Sequence, residues 1–143
     1  PHGALYNMAA KDPALAQAIC RAVQAAAPEA MLLALSGSEM LKAAQGMGLR
    51  VCSEVFADRA YRADGTLVPR GLPGAMIENE EDAIARVVQM AKQGTVCAAD
   101  GSTVTLQADS VCVHGDGRKA LCFVKKLSEA LPAAGIEIKA HNA

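Results

Sequence analysis

The sequence predicts an α/β protein in which parallel strands alternate with helices, with one small hairpin added. Three observations predict it. Hydrophobic periodicity switches repeatedly between a helical spacing and short continuous apolar runs, and those runs are the signature of strands covered on both faces. The third observation is length: a closed (β/α) barrel normally takes about 250 residues, and this chain has 143. It is therefore either a small open α/β domain or part of a β/α barrel.

The elements follow in order. Asp12-Pro13 reads as an N-cap followed by proline at the first helical position, opening a helix over 14–27 that ends before Pro28. Leu15, Ile19, Ala22, Val23 and Ala26 share its apolar face. Residues 31–35 form a buried strand. A second helix runs over 38–47 from Ser38-Glu39 and stops at Gly48, and a second strand covers 49–55. Residues 56–75 carry neither period and are punctuated by three Gly and two Pro. A loop of that length in a small domain is usually functional. A third helix spans 78–93, acidic in its first turn, with Lys92 in its last turn and Gly94 beyond it. Residues 95–106 read as a hairpin turning at Asp100-Gly101 in a type I′ turn. A further strand covers 109–114, a fourth helix 119–134 is closed by Gly135, and 136–138 is a short strand or an extended tail.

Composition narrows the function. With 52% hydrophobic and 20% charged residues the chain can build a core, and a net charge of −1 without a basic face argues against nucleic acid. No apolar stretch approaches the roughly 18 residues of a membrane span, and the first residues do not form a signal peptide. Five cysteines, Cys20, Cys52, Cys97, Cys112 and Cys122, lack CxxC spacing and read as small hydrophobes in a reducing compartment, so the expected location is cytoplasmic. Neither GxxxxGK[ST] nor HExxH occurs, which removes a P-loop and a helix-borne zinc site.

In parallel α/β folds the loops at the carboxyl ends of the strands converge on one crevice. That rule selects three clusters: His2-Gly3-Ala4-Leu5-Tyr6-Asn7; Glu54 through Tyr61 with Asp64, Arg70 and Gly71-Leu72-Pro73-Gly74; and His114-Gly115-Asp116. Singly, each has a structural explanation as a turn residue or a surface ion pair. Together they place two histidines, two carboxylates and two guanidiniums on one face. His2 and His114 suit proton transfer, Arg59 and Arg70 suit a carboxylate or phosphate, and Glu54 or Asp58 can orient water or bind Mg²⁺ through oxygen. Tyr6, Phe56 and Tyr61 fall in these clusters, which leaves Phe123 as the aromatic of the core. His141 lies in the tail. The pattern suits proton transfer on an anionic small-molecule substrate.

On the same residues the chain resembles the LamB/YcsF family of lactam utilisation proteins. The matching stretches are Pro1-His2-Gly3-Ala4-Leu5-Tyr6-Asn7, Glu54-Val55-Phe56-Ala57-Asp58-Arg59-Ala60-Tyr61 with Asp64-Gly65-Thr66-Leu67-Val68-Pro69-Arg70, and Val111-Cys112-Val113-His114-Gly115-Asp116. The resemblance implies a deacetylase-like β/α barrel acting as the A component of 5-oxoprolinase. That enzyme opens the 5-oxoproline lactam to glutamate with ATP, expected with Mg²⁺, together with subunits B and C. Carried over by position, Glu54, Asp58, His114 and Asp116 are the expected catalytic residues, and His2, Tyr6, Asn7, Arg59, Tyr61 and Arg70 the expected substrate contacts. Metal ligands are not assigned. The family's amino-terminal Asp-x-Asn-x-Asp-x-Gly-Glu and His-Ala-Gly-Asp motifs do not occur here. Residues 1–143 are therefore expected to be a single domain, the C-terminal portion of the barrel, inactive alone and prone to self-association through uncovered strand edges. Two alternatives accompany this reading: a metal-dependent deacetylase or amidase of the same barrel type, and a non-catalytic scaffold for the partner subunits.

Overall fold

Asp12 opens its helix as the sequence demands: its carboxylate accepts the backbone N–H groups of Ala14 and Leu15, and Pro13 occupies the first turn of α2, Pro13–Ala26. The computed structural model describes residues 1–115 and 120–140. Before α2 lies a helix that periodicity does not announce, α1, Gly3–Ala9. Seven residues offer too little repeat to reveal a period. The helix is held by burying Tyr6 and Ala9, three apart on one face.

Then follow β1 (Met31–Leu35), α3 (Glu39–Gly46) and β2 (Arg50–Phe56). Ser38 caps α3 by accepting from Leu41 N–H. β1 pairs with β2 in parallel, Leu35 opposite Glu54, and β2 pairs in parallel with β5 (Ser110–Cys112), Phe56 opposite Cys112. The sheet order is β1-β2-β5. Three parallel strands stand among the described residues, where the sequence suggests about four. Residues 136–138 are irregular, and the Ile136 N–H is spent on Leu131 O at the end of α5 (Ala120–Ala133).

α4 (Glu80–Gln93) starts two residues later than expected, because the Asn79 side chain caps it by accepting from Glu81 and Asp82 N–H. The hairpin consists of β3 (Thr95–Cys97) and β4 (Thr103–Thr105). Its turn is not type I′, since that turn requires positive φ at both central residues and only Gly101 has it. Gly101 N–H bonds Ala98 O, and Ala98 N–H bonds Ser102 O. That is a type I turn with a glycine bulge.

The segment without periodicity is ordered by its own bonds. Arg59 bridges Met76 and Tyr61 bridges Leu67. Ala60, Val68 and Ala75 form a small apolar cluster under it. The main core unites α2, α3, α4 and α5 with both sheets through residues such as Ala16, Met40, Val55, Val87, Val96 and Leu127. All four aromatics are buried in it, although the sequence assigns only Phe123 to the core. Among the described residues no helix is long and apolar enough to cross a membrane.

Candidate active site

Successive strand residues point to opposite faces, so Glu54 and Phe56 share one face of β2, and Cys112 joins them through its register with Phe56. From α1, Tyr6 reaches that face. Tyr6 donates its hydroxyl proton to Glu54 Oε2 at 2.8 Å, and its ring meets Phe56 edge-on, centroids 5.9 Å apart at 75°. Burial, then the bond to Glu54, drives the Tyr6 phenol far above its ordinary pKa. It stays protonated and remains a donor.

Past the end of β5, His114 places Nδ1 2.8 and 3.0 Å from the two carboxylate oxygens of Asp58. Both side chains are largely shielded from solvent. A carboxylate only accepts, so Nδ1 carries the proton and neutral His114 has its lone pair on Nε2. No described residue bonds Nε2. The His114 ring stacks on Phe56, centroids 5.7 Å apart and 25° between planes. Tyr6, Glu54, Phe56, His114 and Asp58 thus form one contiguous cluster. Cys112 belongs to it: burial, then the carboxylates of Glu54 and Asp58, push its thiol up to about 11. It is a neutral thiol at physiological pH.

Most of the other expected contacts are engaged outside this cluster. Arg59 is only 4% exposed, and its Nη2 donates to Val68 O at 2.6 Å. Burial and then the nearby Arg70 cation lower its pKa, with Asp58 and Tyr61 acting in the opposite sense. The guanidinium therefore braces the loop. Tyr61 is buried too, its hydroxyl accepting the Phe56 N–H at 2.9 Å, and burial pushes its phenol up to about 12. Asn7 donates to Gly3 O one turn back in α1. His2 is exposed at the start of α1 and makes no capping bond. Arg70 is exposed, near enough for its charge to reach Arg59 and Cys112. Asp116 and His141 lie outside the described residues.

Phe56 and Cys112 lie inside the motifs, but the motif reading gives neither of them a role in the site. Period-two counting from Glu54 and back from His114 would have found both.

No group of three or more His, Cys, Asp or Glu among the described residues is arranged to hold a metal ion. The carboxylates of Glu54 and Asp58 are engaged by Tyr6 and His114, and the Arg59 guanidinium is spent on a backbone carbonyl.

A parallel sheet with a histidine–carboxylate pair at the carboxyl ends of its strands defines the class: an α/β protein with its polar site at the strand termini. The chain belongs to the LamB/YcsF family, which it matches over residues 1–143. It is 56% identical over 138 residues to the A component of 5-oxoprolinase from Clostridium beijerinckii, covering 96% of this chain and 54% of that protein. With the corresponding component from Bacillus subtilis it shares 50% over 140 residues, covering 98% of this chain and 54% of that protein. The lactam utilization protein of Thermus thermophilus superposes with a TM-score of 0.86 at 40% identity, over 99% of this chain and 56% of that one. The chain spans just over half the length of these relatives.

Proposed function

We propose that this chain is the C-terminal portion of a β/α barrel and carries the acid–base pair of the A component of a 5-oxoprolinase. The enzyme would be cytoplasmic and ATP-consuming, and would hydrolyse the 5-oxoproline lactam to glutamate together with subunits B and C. The relatives are 5-oxoprolinase components, which supports the substrate, and each is one component of a larger enzyme, which supports the existence of partners. All five cysteines are free, which suits a reducing compartment.

The observation that carries the chemistry is the bond from His114 Nδ1 to Asp58. With Nδ1–H held by the carboxylate, Nε2 takes a proton from water as the water oxygen attacks the lactam carbonyl. The imidazolium formed is stabilised by Asp58. Nε2 then returns that proton to the ring nitrogen as the C–N bond breaks, giving a carboxylic acid and an amine, and the remaining water proton passes from the acid to the amine to leave carboxylate and ammonium. Asp58 is thus a positioning group, where the sequence left water activation open between it and Glu54. Glu54, tied to Tyr6, fixes α1 over the site.

The test is turnover of the full-length protein with its partner subunits, 5-oxoproline-dependent and with ATP present. His114→Gln and Asp58→Asn should each lower kcat by about 10²- to 10⁴-fold with the fold intact. Unchanged turnover in both variants would refute the acid–base role and favour a scaffold.

A further inference from the structure

We infer that Phe56 is the positioning residue of this site, fixing the plane of the His114 ring and separating the two polar pairs. The inference rests on the acid–base reading of His114 but is decided by a different observation.

A hydrogen bond at Nδ1 sets one direction of an imidazole and leaves the ring free to turn about the line from Nδ1 to Asp58. Turning about that line swings Nε2, the nitrogen that would meet water. His114 lies two residues past the end of β5, so no ladder bond restrains it. The restraint is the face of Phe56, 25° from parallel to the imidazole. An in-plane bond and an out-of-plane contact together leave the ring no free rotation.

Phe56 is itself held on three sides. Its N–H is bound by Tyr61 Oη, its ring is met edge-on by Tyr6, and the residue is buried at the end of β2. It stands between the Tyr6–Glu54 pair and the Asp58–His114 pair. With Leu at position 56 the site stays apolar and most of the volume is kept, but the flat face is lost and His114 gains rotational freedom.

The experiment uses the full-length chain, in complex for turnover and alone for NMR. Phe56→Leu should lower kcat by about 10- to 100-fold, as misplacing a catalytic group does, with KM unchanged. The His114 ring-proton resonance should move downfield as the aromatic ring current is lost. Phe56→Tyr keeps the ring and should keep both the resonance and most of the turnover, and Phe56→Met is the second ring-free variant if Phe56→Leu does not fold. A ring-free variant with an unshifted His114 resonance, or with wild-type kcat, overturns the inference. Wild-type turnover in His114→Gln would instead refute the acid–base reading, and broadening or doubling of the His114 ring resonance in the ring-free variants, against one sharp resonance in the parent, would then decide alone whether Phe56 holds the ring.

Discussion

Asp64 shows how one exposed carboxylate organises a loop next to a site. It accepts from Thr66 N–H at 2.9 Å and from the Thr66 hydroxyl, and Lys11 reaches it at 3.1 Å from the turn between α1 and α2. The Thr66 hydroxyl first, with the Thr66 N–H and Lys11 adding to it, holds its pKa down to about 2. A carboxyl whose folded pKa lies below its unfolded value, about 3.9, stabilises the fold above that unfolded value. The contribution is lost as pH falls toward about 2. Because the side chain is half exposed, solvent screens the ion pair and the gain is modest. Asp64→Asn should therefore reduce stability to urea at pH 6 and 7, with the difference from the parent closing between about pH 4 and pH 2. A difference that persists below pH 2 would contradict this origin. The same scale explains Arg59. Sequence proximity to Asp58 suggested an ion pair or a substrate clamp, but β-bridging of the loop turns the guanidinium inward, onto Val68 O.

Among the elements, those bounded by local chemistry are legible in the sequence. Asp12-Pro13, Ser38 and Gly94 mark helix ends through side-chain caps or a left-handed glycine, and each is a property of a few neighbouring residues. Gly94 is the sharpest of these: it ends α4 at φ +63°, and a Cβ there would stand 3.0 Å from Leu106 O. That close approach lets Leu106 N–H bond Gly94 O at 2.8 Å and sets the exit of β4 against the end of α4. Gly94→Ala should cost about 1–2 kcal/mol for the left-handed backbone alone, with the carbonyl contact adding to it, measured as a lowered urea midpoint at unchanged m-value. Equal midpoints would show that the turn adapts. α1 was not legible because its stability comes from tertiary contacts, chiefly Tyr6 reaching Glu54 48 residues away. The hairpin's position was legible, whereas its turn type depended on Asp100 staying at negative φ.

At the scale of the whole molecule, the accessible surface is 8114 Å², against roughly 6,900 Å² for a closed monomer of this mass from the usual area–mass scaling. The excess is consistent with an open sheet. Among the described residues β1 is an edge strand with β2 as its one partner. Its sequence, Met-Leu-Leu-Ala-Leu, lacks charge and proline, and Leu33 is 43% exposed. Such an edge is a template for another strand. Expressed as these 143 residues, the chain should self-associate with rising concentration in light scattering, and Leu33→Lys should raise the monomer fraction. A concentration-independent monomer would contradict the prediction.

The sequence by itself determined the α/β class, most element boundaries, and the placement of Glu54, Asp58 and His114 at strand ends, because caps, turns and periodicity act over a few residues. Only the tertiary structure decided that Asp58 serves His114 while Glu54 serves Tyr6, that Arg59 and Tyr61 brace the loop, and that Phe56 stands between the two pairs. Those choices rest largely on contacts between residues far apart in the chain, and which side chain wins a shared partner is set by packing geometry that no local pattern encodes.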